Sequence, residues 1–308
     1  MNTMDMETAI ADPNLVHASN GVASISGRIL AMAWRSWEFR IGLCVCVLVV
    51  AAAIFYPDLS GINPAKMAIR DRFRPPVFVE KSTWEHPLGT DQLGRDMLVR
   101  TLIGLRYSLA IGLSTVLLMF VFGCTLGIIA GFKGGIIETL IMRITDAQLS
   151  IPMIILAITI LGVSRPTVPA IILVLALSGW PLYARVARSM ALAERKREYV
   201  RAARILGAPD WQIILFLIAP SILPPIAFVA VLDIARMMIF EAILGFLGLG
   251  VQPPTPSFGN IIADGRKYLI NYWWIATMPG IFLLISLTSI NLMGAALERA
   301  RNAIYRGA

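Results

Sequence analysis

The sequence predicts an all-α integral membrane protein with six transmembrane helices. Three observations predict it. Of 308 residues, 57% are hydrophobic and 15% are charged, where globular domains carry about 25% charged residues. The mean hydropathy is +0.73, above the range of ordinary soluble folds. The apolar residues fall in long uncharged runs, and a spanning helix needs about 20 of them.

The runs read in order as follows. Residues 1–27 are polar and aperiodic and are expected to be irregular; no cleavable leader is expected there. Residues 41–56 are uncharged and stop at Pro57, giving the first span. Residues 108–132 give the second. Residues 147–164 and 166–184 give the third and fourth, parted by Arg165. The fifth has two readings, 211–232 or about 221–244, because Pro220, Pro224 and Pro225 should disturb a helix. The later reading puts Asp233, Arg236 and Glu241 inside the membrane, with Asp233 and Arg236 spaced to pair on one helix face. Residues 245–259 are too rich in Gly and Pro for a regular span and read as a loop or re-entrant turn. Residues 268–297 give the sixth.

Net charge is +8. The basic residues sit between apolar runs, a placement that suits lipid headgroups and a cytosolic partner, and no nucleic-acid partner is expected. Residues 185–204 hold Arg185, Arg188, Arg195, Lys196, Arg197, Arg201 and Arg204, which marks that side as cytosolic, with both termini beside it. The 58–104 loop is also basic but holds six acids. Cys44, Cys46 and Cys124 lie in apolar runs and read as small core residues. His17 and His86 are far apart, and no metal or nucleophilic constellation is visible.

One segment breaks the apolar pattern. Over 198–206, Tyr199, Ala202, Ala203 and Leu206 share one helical face, while Arg197, Arg201 and Arg204 share another. Gly207 ends the helix, Pro209 blocks its continuation, and Asp210 is placed to cap the next one. The result is a short helix tied by a tight turn to a span. It suits either an interfacial position in lipid or a groove on another protein, and the small alanines favour the groove.

Three stretches then resemble a known family. Ala202-Ala203-x-x-x-Gly207, with Leu217-Ile218-Ala219-Pro220 downstream, resembles the EAA signature of ABC importer permeases. That signature reads Glu-Ala-Ala, three residues, Gly, nine residues, Ile-x-Leu-Pro; this chain has Arg201 for Glu, Leu217 for Ile and Ala219 for Leu. "HPLGTDQLGRDMLVRTLIGLRYSL" (86–109) and "EAILGFLGLGVQPPTPSFGNII" (241–262) resemble dipeptide/oligopeptide permeases of the DppC and OppC type.

The resemblance implies a type I ABC importer permease (MetI-like) architecture. It implies a 1–38 cytosolic tail, a first span over 39–57 and an extracytoplasmic loop over 58–104. A 105–300 core then carries five spans and a cytosolic coupling loop at 190–220, before a 301–308 cytosolic tail. It implies a bacterial inner-membrane location. The implied partners are a second permease subunit of the DppB/OppB type, two ATP-binding subunits, an extracytoplasmic solute-binding protein and membrane lipid. The implied ATPase-coupling residues are Glu198, Tyr199, Arg201, Ala202, Ala203, Leu206, Gly207 and Pro220. No cofactor is implied.

The chain has no G-x-x-x-x-G-K-[ST] run, so no nucleotide site of its own is expected. The competing reading is a stand-alone secondary transporter or channel. Asp233, Arg236 and Glu241 are candidates for the pathway or for structural pairing. Gly89, Gly94 and Asp96 are expected to shape a turn or helix start outside the membrane. Tyr268, Tyr272, Trp273 and Trp274 are expected to form an interfacial belt.

Overall fold

The computed structural model describes residues 27–79 and 84–306, so the expectation for 1–27, His17 included, lies almost wholly outside the described residues. Most of the described residues are helical. A short helix α1 covers 27–35, followed by α2 (Trp37–Ser60) and α3 (Met97–Lys133). Next come α4 (Gly135–Leu149), α5 (Met153–Val163) and α6 (Val168–Glu194). A short helix α7 (Glu198–Ile205) precedes a long rod α8 (Asp210–Phe246). The last two are α9 (Phe258–Arg266) and α10 (Trp274–Arg306).

Five of these helices, α2, α3, α6, α8 and α10, are long and apolar enough to cross a membrane. The sixth crossing is α4 and α5 together, bent by 81° at the break between them. The third span therefore differs from the 147–164 expected. Glu138, Arg143 and Asp146 mask α4 as membrane material, yet Glu138 and Asp146 are paired to α6. Arg188 Nε donates to Glu138 at 2.7 Å and Arg185 Nη2 to Asp146 at 2.5 Å. Pro152 cannot continue the helix through the break.

Helix direction follows from the contacts. A Cβ on Gly123 would meet Trp180 and Tyr183, one on Gly127 would meet Ala184 and Ala187, and one on Gly131 would meet Arg188 and Ala191. Numbers rise together, so α3 and α6 run parallel, and α4–α5 must return across the layer between them. The three glycines are four residues apart. They form a small-residue stripe that lets the two backbones touch, and a Cβ on Gly127 would stand 2.3 Å from the Ala184 carbonyl. The α8 rod runs against α3: Ser108 contacts Glu241, and Gly112 packs on Ile234 and Met238. It also runs against α10, where Arg301 reaches the Pro225 carbonyl. The α2 helix runs against α10, where Glu38 pairs with Arg299. Both described ends of the chain therefore lie at the end that carries α7.

The fifth span unites the two readings of the sequence. It is one rod, because a π-helical segment, Ile213–Ile218, precedes Pro220. The extra residue in that turn relieves the clash between a proline ring and the carbonyl one turn back. Ser221 Oγ donates to the Ile218 carbonyl at 2.8 Å, and Arg301 serves that of Pro225. The rod runs on through Phe246, so only 247–257 of the expected Gly- and Pro-rich loop is a connection. The three cysteines are free; Cys124 is buried, but Cys44 is exposed and not a core residue, since its face of α2 points outward.

The end opposite α7 is closed by packed polar residues. Asp96 caps α3 by accepting from the Val99 N–H at 2.8 Å, and His86 Nδ1 lies 2.8 Å from its other oxygen. Gly94 has φ +73° and its Cα faces the Ala68 carbonyl, so only glycine fits the turn. Trp274 is not a lipid-facing belt residue. It is buried, and its Nε1 donates to the Thr90 carbonyl at 3.2 Å. Tyr272 stacks on Phe73 at 3.9 Å. The aromatic set holds Phe73, Phe78 and Thr90 against the helical layer.

Candidate functional site

The site built from the sequence is the corner formed by the end of α6, the helix α7 and the start of α8. Arg197, at the N-cap of α7, offers no side-chain cap, and Glu198 opens the helix where a negative charge is favourable. Tyr199 donates its hydroxyl to Glu194. Burial, together with that carboxylate, pushes the phenol up to about 12, so the donor stays protonated at physiological pH.

The helix ends in a Schellman turn. Ala208 N–H bonds to the Ala203 carbonyl at 3.0 Å and Gly207 N–H to that of Arg204 at 3.1 Å. Gly207 sits at φ +85°, with open space where a side chain would project, so backbone conformation alone demands glycine there. Asp210 does not cap the next helix as expected. Pro209 holds the N-cap position, and Asp210 is the first helical residue, its carboxylate 3.0 Å from Lys133 Nζ.

The packing face of α7 also differs from the one expected. Val200 is buried and Ala203 is half-buried against the core. Tyr199, Ala202 and Leu206 point outward, joined by Ile205; Ile205 is 86% and Leu206 83% exposed. The expected apolar face is thus split. Ala203 anchors the helix to its own subunit, while Tyr199, Ala202, Ile205 and Leu206 form a free apolar surface. Ile205 and Val200 were missed because the helix has apolar residues on two faces. An eight-residue periodicity cannot say which of them turns inward. Arg201 is exposed, and its side chain has no polar partner among the described residues.

The second group of predicted residues lies on α8. Asp233 Oδ1 is 2.9 Å from Arg236 Nη2, and Asp233 Oδ2 accepts from the Tyr183 hydroxyl of α6 at 2.6 Å. The spacing-based pairing of Asp233 with Arg236 is therefore present, and Tyr183 adds a link the spacing could not reveal. Asp233 borders a cavity of about 410 Å³ between α6, α8 and the end of α10, with Arg301 and Asn302 at its edge. Glu241 is fully buried and accepts from Ser108 Oγ of α3 at 2.6 Å. It sits where α8 crosses α3, and its other oxygen, Oε1, is buried without a hydrogen-bond partner among the described residues. Pro220 stands just after the π segment, at the joint where α7's turn feeds the rod. The turn at Gly207 joins α7 directly to α8.

Comparison with known proteins agrees with this geometry. Residues 123–302 match the family described as binding-protein-dependent transport system inner membrane component. The chain is 35% identical to the di/tripeptide transport system permease protein DppC of Pseudomonas aeruginosa over 304 residues, 97% of each chain. It is 40% identical over 264 residues to a putative peptide transport system permease protein of Brucella suis, covering 86% of this chain and 87% of that one. It is also 36% identical to the probable D,D-dipeptide transport system permease protein DdpC of Escherichia coli over 250 residues, 81% and 82% of the two chains. Among solved structures, an inward-facing MetNI methionine ABC transporter chain superposes with a TM-score of 0.52 at 24% identity. That match covers 67% of this chain and 96% of the other and speaks to the fold. The chain belongs to the family of binding-protein-dependent transport system inner membrane components, the permease subunits of ABC importers.

Proposed function

We propose that the protein is one of two permease subunits of an ATP-driven importer of peptides or similar small solutes, in a bacterial inner membrane. A second permease completes the path, two ATP-binding subunits engage α7, and an extracytoplasmic binding protein delivers the solute. The α7 end is cytosolic, with both chain ends beside it. Family membership does not favour the stand-alone carrier or channel.

One observation carries the coupling part of this reading. The helix α7 is fixed by the Schellman turn at Gly207 to the 37-residue rod α8. Its outward side chains are left uncovered. A force on α7 moves α8, and α8 is tied to α6 by Asp233–Tyr183 and to α3 by Glu241–Ser108. Closure of the ATPases would so rock the layer between inward- and outward-open arrangements.

Reconstitution tests the reading. ATP-dependent peptide uptake into proteoliposomes should require the second permease, both ATPases and the binding protein. Uptake by this chain alone would contradict it. Labelling of a single cysteine at position 201 by an impermeant reagent, in intact cells lacking the native cysteines, would contradict the orientation.

A further inference from the structure

The corner beside α7 carries more positive charge than its own acids balance. A cleft of about 520 Å³ opens between the end of α3, the α6–α7 connection and α7. It is lined by Lys133, Arg195, Lys196, Arg201 and Arg204 against a single acid, Asp210. Two of the five cations have hydrogen-bond partners within the chain. Lys133 pairs with Asp210, and Arg195 Nη1 donates to the Gly131 and Phe132 carbonyls at 3.0 and 3.2 Å. Arg204 lies over the Phe132 ring at 5.3 Å, a contact that leaves its charge uncompensated. The side chains of Lys196 and Arg201 are exposed and have neither an ion pair nor a hydrogen bond among the described residues.

We propose that this cleft receives acidic side chains of the ATPase subunit that docks on α7, so the contact is charge-polarised. The inference rests on the reading of α7 as the docking helix and adds the chemistry its partner must offer. Two features support it. Repulsion among cations held this close is relieved by anions brought beside them. In a helix lying in lipid, basic and apolar residues occupy opposite faces. On α7 the inward side is Val200 and Ala203. Both the apolar surface (Tyr199, Ala202, Ile205, Leu206) and the basic one (Arg201, Arg204) point outward, side by side. An apolar patch with a charged rim is the anatomy of a protein interface. The cleft also joins two elements. An acid held there bridges α7 and the end of α3, and through Gly123, Gly127 and Gly131 that end is seated on α6.

The test is retention of ATPase subunits by the complex purified from host membranes through a tag on this chain. The subunits are identified by mass spectrometry and by ATP hydrolysis. Retention by the wild type should fall between about 0.05 and about 0.5 M NaCl as screening shortens the reach of the charges. Arg201→Glu, an exposed charge reversal, should lower retention at low salt about tenfold. Arg201→Lys should keep it near the wild-type level. Equal retention by wild type and Arg201→Glu at every salt concentration would overturn the proposal. It would also be overturned if Arg201→Glu kept the ATPase but lost binding to phosphatidylglycerol vesicles, since the cleft would then be a headgroup site. Absence of ATPase from the wild-type complex itself at every salt concentration would overturn both this proposal and the docking role of α7.

Discussion

Two clusters of charge, one at each end of the helical layer, are built in opposite ways. Opposite α7, one cluster of four charged side chains is buried and held by ion pairs. Asp91 is 2%, Arg95 7%, Asp96 3% and Arg100 3% exposed. Arg95 Nε stands 2.6 Å and Arg100 Nε 3.5 Å from the same Asp91 oxygen. At the α7 end, Lys196, Arg201 and Arg204 lie open, beside the uncovered side chains of Ile205 and Leu206. The first cluster is enclosed by its own chain, where Arg100 Nε and Nη1 are buried without a hydrogen-bond partner among the described residues and the shared Asp91 carboxylate is the counter-charge. The second is left uncovered by its own chain, and the proposed ATPase partner would cover it. Ionic residues therefore predict stability effects at one end and assembly effects at the other.

The largest expected effect belongs to the enclosed cluster. Asp91→Ala leaves Arg95 and Arg100 buried without their shared carboxylate and should cost about 3–5 kcal/mol. Thermal unfolding of the purified protein in detergent measures it. Arg201→Ala should leave the same transition within about 0.5 kcal/mol. Comparable losses from the two would break the contrast between the ends.

The glycine stripe between the ends comes next. Gly127→Leu would force a side chain into the Ala184 backbone and should destabilise by about 1–3 kcal/mol, the usual cost of overpacking. An unfolding midpoint equal to the wild type's would mean that α3 and α6 do not meet there.

Two neighbouring alanines sharpen the comparison within α7. Ala203→Leu pushes into the subunit's own core and should lower stability by about 1–3 kcal/mol. Ala202→Leu faces outward and should leave stability within about 0.5 kcal/mol while reducing ATPase co-purification. The reverse pattern would mean that the helix is seated the other way round. The smallest effect is expected for Lys133→Ala, which breaks a half-exposed pair with Asp210 and should cost less than about 1 kcal/mol in the same unfolding assay.

Much of the layer was legible in the sequence. Uncharged runs gave α2, α3, α6 and α10, because hydrocarbon leaves little room for unpaired charge. The third span was misplaced since Glu138 and Asp146 count against a membrane helix until their arginine partners on α6 are seen. The fifth span has two alternative readings in the sequence because proline rules assume α geometry, and the π segment at Ile213–Ile218 escapes them. The Gly123, Gly127 and Gly131 spacing is visible in the sequence, but the helix it meets is not. At the site, the Gly207 turn could be read from Gly-Ala-Pro. The inward face of α7 could not, because Val200 and Ala203 are chosen by the core they meet.

The central claim is that force enters at α7 and passes through the turn at Gly207. Gly207→Val places a β-branched residue at φ +85°, which no such residue adopts without strain. The direct measurement is ATP-driven peptide uptake by proteoliposomes carrying the complete complex with this substitution, at equal permease abundance. We predict that the variant inserts and pairs with the second permease, yet uptake falls to the level seen without ATP. Uptake at the wild-type rate would contradict the account.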